Sequence, residues 1–424
     1  MLHLIRHSMT AALAAIVIAL AAVAELSGSG DSSPGTSVRA AIIEPAAFGA
    51  VDSVDVCVDG RTVHLLLGRN GEGDAAGVFM HTISGDGGKS WRQPVIVNQG
   101  GLKPVSHHRG ADARLIARGE KLFAVWVTPG TGFGGTGPMG TALSTDGGKT
   151  WKPGPNPADH GTTGSHRFMA LTDDGFAFHL LWLDDRDNKR GLRHASSTDG
   201  GATWSKNHTV DDYTCACCWN TIVHVPSASG HGRGRLFAMY RDIEPSDMGL
   251  AVSSDGGETW TKQGHIGNFG WIFKGCPHVG GGIVTVQPDR DANTATAKAD
   301  PMFAAVWTGL PEAAGCYLYR SDDAGVQWTK VMPFGDKRAS HPVIAAQGGR
   351  VTVMWDEATD TERAVMAMTS TDAGATWGKP ARLSAEGTPA THPVVTADPT
   401  AQGFFTLWTQ LGEGGKYVLN AKRF

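Results

Sequence analysis

Ser253-Ser254-Asp255-Gly256-Gly257-Glu258-Thr259-Trp260 decides how this chain folds, because close copies of it recur along the sequence. The pattern Ser-x-Asp-x-Gly-x-Thr-Trp also runs from Ser84 to Trp91, Ser144 to Trp151, Ser197 to Trp204, Ser321 to Trp328 and Ser370 to Trp377, with Ser90 and Gln327 replacing Thr in two copies. A short aspartate at the head of a turn bonds the turn's own backbone, and the glycine two residues later supplies positive φ. The terminal Trp is placed to pack under the loop. Repetition of one such unit at intervals of roughly 50 to 70 residues means an array of like supersecondary modules. A second repeat accompanies it: apolar strands end in an aromatic at Phe123-Ala-Val-Trp126, Leu180-Leu-Trp182, Phe237-Ala-Met-Tyr240, Ala304-Ala-Val-Trp307, Val353-Met-Trp355 and Phe405-Thr-Leu-Trp408, with His64-Leu-Leu-Leu67 as a seventh relative.

The eight-residue motif resembles the Asp box, or bacterial neuraminidase repeat, and the chain is similar over its mature length to the sialidase-like propeller superfamily. The resemblance implies an all-β propeller of four-stranded blades, with the boxes joining third and fourth strands on the face away from the active site. Seven second strands imply seven blades, with six as the alternative count and the number found in sialidases. The lone apolar strand Val38 to Ile43 is expected to pair with the last unit, His392 to Phe424, closing the ring and removing both sheet edges.

In a propeller the innermost strands line the channel, and the residues just before them gather at one rim. Those segments read Ser106-His107-His108, Ser165-His166, Cys215-Ala216-Cys217-Cys218, Cys276-Pro277-His278, Ser340-His341-Pro342 and Thr391-His392-Pro393. Imidazole and thiolate are the preferred ligands of late transition metals. His107, His166, Cys215, Cys217, Cys218, Cys276, His278, His341 and His392 are therefore candidate ligands, for copper ahead of zinc. Taken singly, each His also suits a role as blade-start punctuation bonded to a neighbouring loop. In an oxidising compartment the four clustered cysteines are equally suited to one or two disulfides, whereas Cys57 and Cys316 read as buried free thiols. A histidine ring in a propeller channel is similar, in architecture alone, to the one that holds the catalytic copper cluster of nitrous oxide reductases. The Cys-x-Cys-Cys string with Cys-Pro-His resembles an exported bacterial branch of the superfamily, for which the family name describes fold and not reaction.

Charged residues follow the second strands at Asp184-Asp185-Arg186-Asp187, Arg241-Asp242 and Asp356-Glu357, and strand alternation puts them on the same rim. Trp219, Trp271 and Tyr240 are candidate pocket walls. Resemblance to sialidases implies three arginines on a carboxylate, a Tyr nucleophile with a neighbouring Glu, and an Asp acid/base. Arg241 lies in a stretch resembling the one that carries an arginine of that triad, and Tyr240 and Asp185 are the further candidate contacts. The Arg-Ile-Pro string that marks the first arginine in sialidases is absent, and no Tyr and Glu pair stands out among five Tyr. Three functions follow: a metal site with a redox or metal-handling role, a glycoside hydrolase or glycan-binding propeller, and a scaffold whose broad face binds a partner protein.

At the N-terminus Arg6 and His7 precede the apolar run Ala11 to Ala24, which ends in the small-residue pattern Ala22-Val23-Ala24. This reads as a signal peptide over 1–24, too short for the roughly 20 apolar residues of a membrane span. A Gly/Ser-rich linker over 25–37 then leads into the propeller, 38–424. Export to the periplasm or beyond is the expected destination. With 37 basic against 41 acidic residues there is no global field to hold a polyanion, which argues against nucleic acid as a partner.

Overall fold

A computed structural model describes residues 41–43, 47–72, 76–107, 112–161, 164–186, 189–227, 232–287 and 300–424; the leader and linker over 1–37, His108 and Asp187 lie outside them. The box turns are built as their residue types require. In one, Gly257 N donates to Ser253 Oγ (2.8 Å), Ser253 Oγ to Asp255 Oδ1 (2.7 Å) and Thr259 N to the same oxygen (3.0 Å), while Trp260 Nε1 closes onto Gly257 O (3.1 Å). Gly257 has φ +91°, and a Cβ there would lie 2.0 Å from the His194 ring of the preceding blade. Glycine is thus required twice, by the turn and by the neighbour pressed against it.

Each box joins the third and fourth strands of an antiparallel sheet. Seven four-stranded sheets span 53–96, 114–153, 166–211, 221–266, 282–334, 339–382 and 390–423, here blades I to VII. Blade VII takes its outermost strand from the N-terminal side: Ala41–Ile43 pairs with Tyr417–Arg423 through Ala41↔Lys422 and Ile43↔Ala421. Seven blades and their closure by the first strand are as the sequence implied; of the expected strand Val38 to Ile43, residues 38–40 lie outside the described residues. Among the described residues there is no α-helix, and no helix is long and apolar enough to cross a membrane.

The core is divided among the blade interfaces, and each neighbouring pair of blades shares its own apolar cluster, including the pair that closes the ring. The aromatics ending the second strands fill these clusters, with Trp126, Trp182, Trp355 and Trp408 fully buried. Burying side chains of that size contributes a few kcal/mol each. Because every blade leans on both neighbours, the loops at the rim are held by a closed frame.

Candidate functional site at the channel rim

Backbone register decides which residues reach the channel. In blade III His166 pairs with Asp184 and Arg167 with Leu183, but the next pair is Ala170 with Leu181, so one extra residue is inserted. The same bulge falls between Ser340 and Val343 in blade VI and between Thr391 and Val394 in blade VII. At each bulge the first inserted residue is left-handed: Phe168 (φ 54°), His341 (φ 55°) and His392 (φ 53°). His278, ahead of the inner strand of blade V, shares that conformation at φ 54°. A left-handed non-glycine costs about 1–2 kcal/mol, which the surrounding sheet must hold in place.

The bulge register corrects the ring. Phe168, not His166, is the counterpart of His341 and His392, and His166 sits two residues earlier, level with the buried Ala339 and Ala390 that begin the inner strands of blades VI and VII. His166 is fully buried, with Nδ1 2.9 Å from Gly137 O of blade II and its ring 5.2 Å from that of His160. His107 is also withdrawn: it is buried against Phe79 (4.4 Å between ring centroids), and its backbone N donates to Asn70 Oδ1 (2.6 Å).

The sulfur ligands, by contrast, converge. Cys215 Sγ is 3.5 Å from Cys217 Sγ and 3.4 Å from Cys218 Sγ, and the three ligand atoms lie within 4.8 Å of one another. Cys217 belongs to a second group as well, with Cys276 and His278, whose ligand atoms also fall within 4.8 Å of one another. The first group is buried, whereas Cys276 and His278 are exposed. All six cysteines are free, and sulfurs 3.4 Å apart are not bonded, so the expected disulfide is not formed.

Arg241 ties the two loops together. Its guanidinium donates to Val279 O (3.1 Å), Ser246 O (2.6 Å) and Trp307 O (3.0 Å), and its own carbonyl accepts from Cys215 N (3.2 Å). Burial opposes charge on Cys218, yet hydrogen bonds from Cys215 and Cys217, the nearby Arg241 cation and the Val279 N–H hold its thiol well below the ordinary range. Cys217 is pushed up by its bonds to Cys215 and Cys218 and by burial. Charge on the trio is thus favoured at Cys218 over its two neighbours. Replacing Arg241 by Met is expected to lower stability by about 2–4 kcal/mol, since buried carbonyls lose their donor. The denaturant midpoint measures this, and an unchanged midpoint would leave Arg241 free to serve a ligand instead.

Tyr240 and Asp185 are likewise engaged internally. Tyr240 is buried and its hydroxyl donates to Asp211 Oδ2 (2.8 Å). Asp185 accepts from Ser165 N (2.7 Å) and Phe133 N (3.2 Å), bracing the loop before blade III. Trp271, expected as a pocket wall, is buried against Trp307 and Phe273. A third group, His160, His166 and Asp184, also has ligand atoms within 4.8 Å. There Arg186 (2.7 Å) and Arg193 (3.2 Å) already occupy the Asp184 carboxylate, and their charges oppose a cation.

Below the rim the channel holds a cavity of about 410 Å³, lined by Asp55, Asp112, Arg114, Trp219, His341 and His392 among others. Asp112 was missed in the sequence although it stands two residues before an inner strand. It accepts from Trp219 Nε1 (3.0 Å) and lies 3.7 Å from His392 Nε2. His341 Nδ1 is 3.0 Å from Asp356, whose carboxylate also accepts from Arg363 (2.6 Å), and His341 Nε2 is 3.1 Å from His278 O. The second-strand carboxylates thus sit on the same rim as the histidines, as strand alternation requires.

Boxes, blades and rim loops define a sialidase-like Asp-box β-propeller. The family model for the BNR repeat-like domain matches residues 68–268. No curated protein matches the chain. Among solved structures it is similar to the α-L-arabinofuranosidase of Fusarium graminearum with an iminosugar inhibitor, at 13% identity over 92% of this chain and 98% of that one (TM-score 0.51). The Fusarium graminearum enzyme with arabinobiose gives 14% identity, 91% and 97% coverage and a TM-score of 0.50. A Trypanosoma rangeli sialidase mutant with trans-sialidase activity gives 13% identity and a TM-score of 0.49 over 80% of this chain, which spans 57% of its length. At such identities the likeness is one of fold.

Proposed function

We propose that this protein is an exported propeller that binds a soft transition metal at the channel rim, with Cu(I) as the preferred ion and metal handling as the role. The observation that carries the reading is the convergence of Cys215, Cys217 and Cys218 with Cys276 and His278 around one shared sulfur. Thiolate donors select Cu(I) and Zn(II), and zinc almost always takes four ligands. Each group here offers three, a number suited to Cu(I). The Arg241 cation, close to Cys218, offsets the charge of a buried thiolate set.

Elemental analysis of protein isolated from the exporting cell, with thiols counted before and after reduction, tests this. Stoichiometric copper with reduced cysteines supports the function; no bound metal, with all four clustered cysteines oxidised, removes it. A second reading, a glycan in the channel, draws support from the cavity, whose wall combines Trp219 with Asp112 and His392. The arabinobiose complex of a protein sharing the fold points the same way. Saccharide binding that survives loss of the cysteine cluster would favour it.

A further inference from the structure

Five ligands divided between a buried and an exposed group, with one sulfur common to both, do more than hold an ion. We infer that Cys276 and His278 form a loading site that passes Cu(I) to the buried thiols by ligand exchange around Cys217; this rests on the function proposed above. Cys276 and His278 are exposed on the loop ahead of blade V, whereas Cys215, Cys217 and Cys218 are buried between blades III and IV. An ion arriving from solvent meets the exposed pair first, and Cys217 is the buried sulfur within reach of both groups.

The geometry permits transfer without releasing the ion. Cu(I) first binds the sulfurs of Cys217 and Cys276 and a ring nitrogen of His278, and the two thiol protons leave to solvent. The bonds to Cys276 and His278 then break as bonds to Cys218 and Cys215 form. Of the protons displaced from Cys215 and Cys218, one passes to the departing Cys276 sulfur and the other leaves to solvent. Copper stays Cu(I) throughout, so no oxidant or reductant is consumed. The two loops are held at a set spacing because Arg241 bonds both: its carbonyl accepts from Cys215 N and its guanidinium donates to Val279 O. An exposed pair with this role should govern the rate of uptake and leave the final affinity alone.

Stopped-flow transfer from Cu(I)-bicinchoninate to the reduced full-length protein, under anaerobic conditions, separates the two quantities. The double variant Cys276→Ser/His278→Ala is expected to take up the same amount of Cu(I) as the wild type with nearly the same affinity, but roughly tenfold more slowly. His278→Ala alone should fall between them, and matching thermal unfolding confirms that the exposed substitutions leave the fold intact. Equal rates would overturn the loading role, and so would loss of bound copper from the double variant, because the pair would then belong to the resting site. A wild-type protein that takes no Cu(I) would instead overturn the proposed function itself.

Discussion

Replacing Cys217 by serine is expected to weaken Cu(I) binding by roughly a hundredfold or more, while Cys57→Ser, remote from the rim, leaves it unchanged. Cys217 is the one sulfur shared by the buried and exposed groups, so its loss leaves each with two ligands. A serine hydroxyl is a poor partner for a soft ion and cannot restore the third bond. The fold should tolerate the change, because the site is buried but the volume lost is small; unfolding measured alongside binding separates the two effects. A chelator competition titration reads the affinity. Wild-type affinity in Cys217→Ser would show that the ion is held elsewhere.

Acidification should destabilise the propeller well before its carboxylates are titrated. In blade I, His64 Nδ1 lies 3.1 Å from His81 Nε2, and His81 Nδ1 is 3.3 Å from Gly148 O in the box of blade II. Blade III repeats the device, with His179 Nδ1 3.0 Å from His194 Nε2 and Gly257 of the next box pressed on the His194 ring. Burial lowers His64 to about 4, against the opposing pull of Asp59, and lowers His81 to about 3; His194 is also held well below its ordinary value. These groups fold neutral, whereas the unfolded chain takes up their protons below the ordinary value of 6.5. The unfolded state therefore binds more protons across this window, and stability falls as pH drops from 6.5 towards 4. The loss is on the order of 3 kcal/mol for each such histidine, read from unfolding midpoints across that range. His81→Phe, which mimics the Phe123 found under the blade III box, should flatten the dependence. A profile unchanged by that substitution would assign the acid loss to other groups.

Fold and site were unequally legible in the sequence. The boxes are local: Ser, Asp, Gly and Trp within eight residues carry their own turn, so six of them announce six blades without tertiary information. The seventh blade carries no box, and its second strand, Phe405 to Trp408, was the signal for it. The Cys-x-Cys-Cys loop was legible because three ligands so close in sequence can hardly disperse. The histidine ring failed at His166 because similar Ser-His strings do not show where the β-bulge falls: in blade III it comes two residues after His166, at Phe168. Arg241 was read as a ligand contact because an arginine at a rim looks the same whether it meets substrate or three carbonyls. The His64/His81 and His179/His194 pairs went unread, although a histidine at facing positions of adjacent strands in two blades was a signal to be found.

Copper K-edge absorption of the singly loaded, reduced protein tests most directly whether the three sulfurs of the Cys-x-Cys-Cys loop hold the ion. A first shell of sulfur alone is predicted, unchanged by His278→Ala. A shell dominated by nitrogen or oxygen, or one that persists in Cys217→Ser, would contradict it.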